Sequence, residues 1–287
     1  MIDPPVSLAA ESEERYQGQH RGDRGAYRRY LASMDASMRQ KVALTAAHLL
    51  CEGRIADMGM GSGTGSHALA ALYPALDVTG VDISETMVRL ANERFDLENL
   101  KFVVGDIAER VFEEGSLDGI FDSSVLHHVT SFNGYDHDAA ARCLAVQAAQ
   151  LREGGVLVVR DFLDPGGSVV LLDLPDQDGQ DRRDGDDPRT ASTAELFERF
   201  AREFRSLSDA PGFAYEEVSG APTGRRRFRL ARRLAVEFIR RKDYRDDWES
   251  EVKEEYTYFT QARFEEVFTD LGLRVLASTP IRNPWIV

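Results

Sequence analysis

The sequence predicts an α/β protein built on a doubly wound, mostly parallel sheet. Three observations carry this. Between Arg54 and Phe162, short apolar runs alternate with stretches of helical periodicity. Strands separated by helices of that length form parallel βαβ units with both sheet faces covered. The first apolar run ends in a glycine-spaced turn, Met58-Gly59-Met60-Gly61-Ser62-Gly63, and a helical segment follows at once. That arrangement puts a ligand at the carboxyl ends of parallel strands. Finally, 287 residues that are 43% hydrophobic and 29% charged suffice for a substantial core.

The elements follow in order. Residues 1–24 are polar, with Pro4 and Pro5, and read as an arm. From Ala26 to Leu50, Tyr27, Tyr30, Leu31, Met34, Met38, Val42, Ala46 and Leu49 recur at helical spacing, and Gly53 stops the run. Strands are expected over Arg54–Met58, Asp77–Val81, Lys101–Val104, Leu117–Ser123 and Gly155–Phe162. Helices are expected over Gly65–Tyr73, Ser84–Phe95 and Asp136–Leu151, with Ser84 as N-cap and Glu85 in the first turn. The alternation breaks at Asp164.

Residues 173–189 are acidic and almost free of apolar groups, which reads as a solvated loop. Leu196, Phe197, Phe200, Ala201 and Phe204 share a helical face. So do Phe228, Ala231, Leu234, Ala235, Phe238 and Ile239 within the arginine-rich stretch 225–242. A helix from Thr260 to Leu271, capped by Gly272, precedes a strand over Leu273–Ser278. The apolar end Trp285-Ile286-Val287 reads as a last strand, or as a cut from something longer. The expected organisation is an arm (1–24), a core with an N-terminal cap helix (25–163), a helical and loop insert serving as substrate lid (164–254), and a C-terminal helix and strands completing the sheet (255–287).

Charge and cysteine content narrow the function. The net charge of −14 is opposite in sign to that of a protein that works by neutralising phosphates, so nucleic acid is disfavoured though not excluded. Cys51 and Cys143 form neither a C-x-x-C nor a disulfide framework, which fits a reducing cytosol. No apolar run approaches the roughly 20 residues that span a bilayer, and the N-terminus lacks the basic and apolar regions of a secretory signal. A cytoplasmic location is the expectation. The six histidines and two cysteines show no metal-ligand spacing, so no metal is expected.

The glycine turn discriminates between cofactors. A dinucleotide fingerprint requires G-x-G-x-x-G. Counting from Gly59 its third glycine falls on Thr64, and counting from Gly61 on Ser66, so both registers fail. Asp57, just before the turn, would repel a pyrophosphate and tolerate a cofactor bearing an ammonium and a sulfonium.

The segment Asp57-Met58-Gly59-Met60-Gly61-Ser62-Gly63 resembles the first motif of class I S-adenosylmethionine-dependent methyltransferases, D/E-x-G-x-G-x-G. Further motifs of that family follow in order: Gly80-Val81-Asp82-Ile83-Ser84-Glu85-Thr86-Met87, Phe102-Val103-Val104-Gly105-Asp106-Ile107, Phe121-Asp122-Ser123-Ser124-Val125-Leu126-His127-His128, and Leu151-Arg152-Glu153-Gly154-Gly155-Val156-Leu157. The resemblance covers roughly residues 26–165 and 255–280 and implies a seven-stranded Rossmann-like sheet. It also implies that S-adenosylmethionine is converted to S-adenosylhomocysteine. In that reading Asp57, Gly59, Gly61 and Gly63 hold the methionine part of the cofactor. Asp82 receives both ribose hydroxyls. Ile83 and Met87 pack near the adenine, Asp106 meets its amino group beside Ile107, and Ser123 lines the end of the fourth strand.

Methyl transfer from a sulfonium mainly needs alignment and exclusion of water. A hydroxyl or ammonium nucleophile also needs a base. His127, just after the fourth strand, fits that role; the other reading is that it only contacts cofactor or caps a helix. In the similar stretch of phosphoethanolamine-type methyltransferases a histidine works with an N-terminal tyrosine, which implies Tyr30 or Tyr27 here, although this chain lacks that family's wider signature. Asp161, ending the fifth strand, could orient a substrate amine, and Tyr256 could line a substrate pocket or belong to the core.

The arginines of 225–242 read either as a solvated helix face or as a site for a polyanion. Hence the leading expectation is methylation of a small molecule. The alternatives are an RNA or carrier-protein-bound acceptor, transfer of the cofactor's aminocarboxypropyl arm, or a module that binds without catalysis. Oligomeric state is not legible.

Overall fold

The structure, a computed structural model, describes Asp35, Met38 and residues 41–179 and 187–281. Tyr27 and Tyr30, the 1–24 arm and Trp285–Val287 therefore lie outside the described residues. The chain divides into two compact units. The first runs through Val129 and takes in Asp138–Asp161; the second comprises Thr130–His137 and the chain from Phe162 onward.

The first unit holds a five-stranded sheet in the order β3-β2-β1-β4-β5. Its strands are β1 (Glu52–Met58), β2 (Ala75–Asp82), β3 (Leu100–Val104), β4 (Leu117–Ser123) and β5 (Leu151–Arg160). Every pairing is parallel. The connecting helices are α1 (Thr64–Leu72), α2 (Glu85–Arg94), α3 (Leu126–Ser131) and α4 (Asp138–Gln150). The central strand β1 is buried from Ile55 to Met58, as a parallel strand covered on both faces must be.

Alternation sorts its residues between two layers. Ile55 packs with Leu69, Leu76, Val78 and Phe121, and with Met38, Val42, Ala46 and Leu49 of the cap segment, whose residues 41–45 are helical. One residue on from Phe121, Asp122 meets the Gln147 amide of α4 at 3.3 Å. Ser84 caps α2, its hydroxyl accepting from the Met87 N–H, as its position before Glu85 predicts. The strand order reverses between β1 and β4, and such a switch point opens a crevice beyond the strands' carboxyl ends.

The second unit corrects the expected helical insert. It contains an antiparallel sheet ordered β6-β8-β7, from β6 (Val169–Pro175), β7 (Glu216–Val218) and β8 (Arg225–Ala231). With it go α5 (Thr193–Glu203), α6 (Arg232–Arg241), α7 (Trp248–Glu251) and α8 (Gln261–Asp270). The stretch expected as one helix over 225–242 is a strand followed by a helix. Phe228 and Ala231 fit helical spacing, but the pair buried in β8 is Phe228 and Leu230, two apart. Pairing to β6 and β7, remote in sequence, decides the outcome.

The acidic stretch expected as a loop from Asp173 begins as strand, with Asp173 holding Arg227 in a bidentate pair at 2.6 Å. Other arginines of the stretch also meet carboxylates of this unit: Arg226 meets Glu198 and Glu217, Arg229 meets Glu216, and Arg241 meets Glu237. Much of the basic character visible in the sequence is thus neutralised locally.

Seven strands were expected in the main sheet; among the described residues it has five. Leu273–Ser278 alternates like a strand but has no strand partner among the described residues, and a strand without a ladder leaves its backbone groups to water.

Candidate functional site

The glycine turn sits where β1 ends. Gly59 and Gly61 have φ of +74° and +56°, the left-handed region that favours glycine. A Cβ on Gly59 would also stand 2.2 Å from the Val125 side chain. The turn is tied to β2, because the N–H groups of Gly59 and Met60 both donate to the Val81 carbonyl, at 2.8 and 2.9 Å. Gly63, itself left-handed at φ +73°, precedes the first turn of α1. The turn's hydroxyls are held by the cap segment. Asp35 accepts from Ser62 at 2.9 Å and Thr64 at 2.6 Å, and pairs with Arg94 at 2.8 Å. Those hydrogen bonds keep the Asp35 carboxyl below its ordinary value although burial works the other way.

Three carboxylates stand at the carboxyl ends of β1, β2 and β3. Asp57 is 3% exposed and accepts a 2.6 Å hydrogen bond from Ser66. Burial pushes it up to about 6, with the Ser66 hydroxyl opposing and the charge of Asp82 reinforcing. Asp82 accepts the Gly61 N–H on one oxygen and the Ser84 N–H on the other, each at 2.9 Å. Burial pushes it also up to about 6 against those two donors. Asp106 is buried; its Oδ1 accepts the Ala108 N–H, while Oδ2 has no hydrogen-bond partner among the described residues. Met87 and Ile107 are buried and Ile83 is half-buried.

Beyond β4, Ser124 adopts a left-handed φ of +60°, rare for a residue with a side chain. Its N–H donates to the Arg160 carbonyl at 2.7 Å, and its hydroxyl accepts from Arg160 Nη1 at 2.9 Å. The Ser123 hydroxyl and Arg160 Nε are buried without a hydrogen-bond partner among the described residues. The turn delivers His127 onto Asp161. His127 Nδ1 lies 2.9 Å from Asp161 Oδ1, and its backbone N–H donates to Oδ2 at 3.2 Å. Both side chains are almost fully buried. An ionised carboxylate only accepts, so it assigns the imidazole proton to Nδ1.

The sequence reading placed His127 and Asp161 in the same crevice but in separate roles; the fold joins them in one pair. Two neighbours went unread. Asp35 is one. Lys41 is the other: burial, and then the charge of Arg160, push its ammonium down to about 8, while Asp161 and Asp57 pull it back. The signal for Lys41 was a lone cation among Met38, Val42 and Thr45 on the inward stripe of the cap helix. Tyr256 belongs to the second unit. It is buried there, stacked on Phe162, with its hydroxyl donating to Glu251 at 2.6 Å.

Residues 55–155 match a family described as a methyltransferase domain. The chain is 31% identical over 128 residues to the phthiotriol/phenolphthiotriol dimycocerosates methyltransferase 1 of Mycobacterium ulcerans (strain Agy99), which covers 44% of each protein. It is 35% identical over 107 residues to the trans-aconitate 2-methyltransferase of Deinococcus radiodurans, which covers 37% of each. The chain thus spans less than half the length of these curated relatives. Human N-acetylserotonin methyltransferase, solved in complex with SAM, aligns over 94% of this chain and 55% of its own, at 15% identity and a TM-score of 0.47.

Proposed function

We propose that this chain, which belongs to the class I S-adenosylmethionine-dependent methyltransferases, moves the cofactor's methyl group to a small-molecule acceptor and releases S-adenosylhomocysteine. The observation that carries the reading is the cradle at the switch point: a left-handed glycine turn after β1, with Asp57, Asp82 and Asp106 at the carboxyl ends of β1, β2 and β3, and an Asp106 oxygen that is buried without a hydrogen-bond partner among the described residues. When bound, the cofactor supplies a methyl group already activated on a sulfonium.

The residues have the chemistry to hold it. Asp57 offers a carboxylate to an ammonium. Asp82, braced by two backbone N–H groups, keeps lone pairs for a pair of hydroxyls. Asp106 Oδ2 suits an exocyclic amine, and Ile83, Met87 and Ile107 offer apolar contact to a ring. Ser123 contributes a hydroxyl at the crevice. His127, held by Asp161, takes the acceptor's proton. The curated relatives named above carry small-molecule acceptors in their names, which supports an acceptor of that class.

The test is incubation with S-adenosylmethionine carrying labelled methyl, in the presence of a small-molecule extract. The expected result is label in a small molecule together with stoichiometric S-adenosylhomocysteine. Methylthioadenosine in its place would mean transfer of the aminocarboxypropyl arm and would overturn the reading. So would cofactor binding with no turnover in any extract.

A pH dependence follows from the two raised carboxyls. Asp57 and Asp82 have an ordinary value of 3.8 and stand at about 6 in the folded chain. Between those values the folded chain keeps protons that the unfolded chain has lost. Their burial therefore costs stability at neutral pH, and that cost fades as pH falls through 6. A cationic cofactor favours the ionised form of Asp57. Its affinity is accordingly expected to fall as pH drops below about 6, and binding near that pH should release protons. Calorimetry in two buffers of different ionisation heat measures this directly; proton uptake on binding would contradict it.

A further inference from the structure

We infer that Arg205 and Arg233 of the second unit form a phosphate-binding site, for free phosphate or for a phosphate monoester. Both converge on one carboxylate, that of Glu255, which is 1% exposed. Arg205 Nη2 lies 3.9 Å from Glu255 Oε2, and Arg233 Nη1 lies 3.7 Å from Oε1. The two guanidiniums are therefore within reach of a single small anion. His137 Nε2, at 2.9 Å, is the group hydrogen-bonded to Oε2. The arginines stand beyond hydrogen-bond distance. Neither guanidinium makes a hydrogen bond among the described residues, and the buried Arg205 Nε is without a partner there. Glu255 is also the only carboxylate that pairs with either arginine among the described residues.

The arginines come from separate elements and are held independently. Arg233 lies in the first turn of α6. Arg205 follows α5 with a left-handed φ of +58° and sits 4.3 Å over the ring of Tyr135, itself left-handed at +62°. These are two of the three non-glycine residues with positive φ in the described chain, the third being Ser124. Such conformations are costly and cluster where a ligand is held. The surrounding backbone fixes this one. The Ser206 N–H donates to the Val252 carbonyl at 3.2 Å and the Leu207 N–H to the Tyr135 hydroxyl at 3.3 Å. That hydroxyl donates in turn to the Lys253 carbonyl at 2.8 Å. The Arg205 and Arg233 side chains remain 34% and 41% exposed, so a ligand can reach them.

Two permanent cations facing one carboxylate leave a positive excess. Their unused N–H forks favour an anion with several oxygens. A carboxylate fills one fork, whereas a phosphate has oxygens for two. Glu255 repels any anion placed between the arginines, so removing its charge should strengthen binding. The site lies wholly within the second unit, and phosphate binding there stands or falls independently of methyl transfer.

The experiment titrates the whole chain calorimetrically with inorganic phosphate in one arm, glycerol 3-phosphate in a second and sodium acetate in a third. Wild type is expected to bind at least one of the phosphates, and more tightly than acetate. The tighter phosphate arm tells free phosphate from a monoester. Arg205→Gln and Arg233→Gln are each expected to weaken that binding about tenfold, roughly 1.4 kcal/mol. Glu255→Gln is expected to tighten it. Thermal unfolding of each variant shows whether it is folded. In the wild type alone, phosphate should also shift the ring proton resonances of His137.

Absence of phosphate binding by the wild type would overturn the inference and leave the cluster a structural hub. Binding that leaves the His137 resonances in place, or that both arginine variants retain at wild-type strength, would put the anion elsewhere and do the same. A folded Glu255→Gln that binds phosphate no better than wild type would show that its charge does not face the anion, which also overturns it. Acetate bound as tightly as phosphate would assign the arginines to carboxylates and overturn the phosphate assignment.

Discussion

Replacement of His127 by alanine is expected to lower kcat by about two to four orders of magnitude, the usual contribution of a positioned general base. Cofactor affinity should change little. The expectation comes from geometry rather than from the histidine alone. Asp161 grips the residue twice, at ring Nδ1 and at the backbone N–H, so both ring orientation and tautomer are set. The strained Ser124 that precedes it, at φ +60°, costs on the order of 1–3 kcal/mol and holds the turn that points α3 at Asp161.

Asp161→Asn separates base chemistry from packing. It keeps the size of the side chain but can present an amide N–H to Nδ1, which would move the ring proton to Nε2 and block proton abstraction. Both variants should therefore lose kcat while S-adenosylhomocysteine still binds. They are to be assayed with the acceptor found by the labelled-methyl screen. Near wild-type turnover in His127→Ala would reduce the residue to a cofactor contact or a structural element of the turn.

What the sequence made legible was whatever depends on neighbours in the chain. The β1 turn could be read because its glycines, its acidic residue and its helix start are consecutive, and the structure has β1 ending at Met58 and α1 starting at Thr64. Ser84 was legible as a cap for the same reason. Strand and helix alternate on a scale of ten residues through Arg160, and there the expected and observed elements agree within a few positions, apart from the short α3, which was not expected.

The second unit failed this test because its order comes from distant pairings. β8 becomes a strand by lying between β6 and β7, and Arg226 finds Glu198 on α5, twenty-eight residues away. A local reading sees only the arginines and the period of Phe228 and Ala231. The same limit hid the link between His127 and Asp161, thirty-four residues apart. Lys41 was readable in principle, since a cation on the apolar stripe of a helix has to be buried or bound. The charges of Arg160 and Asp161 that act on it could be assigned only after β5 was placed beside β4.

Arg241→Ala is expected to destabilise the protein by about 3–5 kcal/mol, the penalty for stripping the partner from a buried charge. Arg241 and Glu237 are both fully buried one turn apart on α6, with Nη1 to Oε2 at 2.5 Å. Burial works against the guanidinium's charge, but the attraction of Glu237, Tyr256 and Glu251 outweighs it and holds the group above its ordinary value. Arg241 also donates to the Glu254 carbonyl at 2.9 Å and lies 4.0 Å over the Tyr256 ring. Alanine removes all of this and leaves a cavity beside Phe200 and Phe204.

Replacing the pair by two apolar residues would not rescue it, although such swaps often succeed elsewhere. Glu237 accepts the N–H groups of Tyr256 and Thr257, at 2.9 and 2.6 Å, and the Thr257 hydroxyl at 2.5 Å. A leucine at 237 would orphan those donors at about 1–3 kcal/mol each. Glu237→Gln with Arg241→Met keeps a carbonyl acceptor for the backbone, removes both charges and fills most of the space. That double variant should recover a substantial part of the stability lost in Arg241→Ala. Urea unfolding of the wild type, the single variant and the double variant decides the matter. A double variant no more stable than Arg241→Ala would mean that the ion pair itself, rather than the acceptor that Glu237 provides, holds α6 to the segment through Thr257.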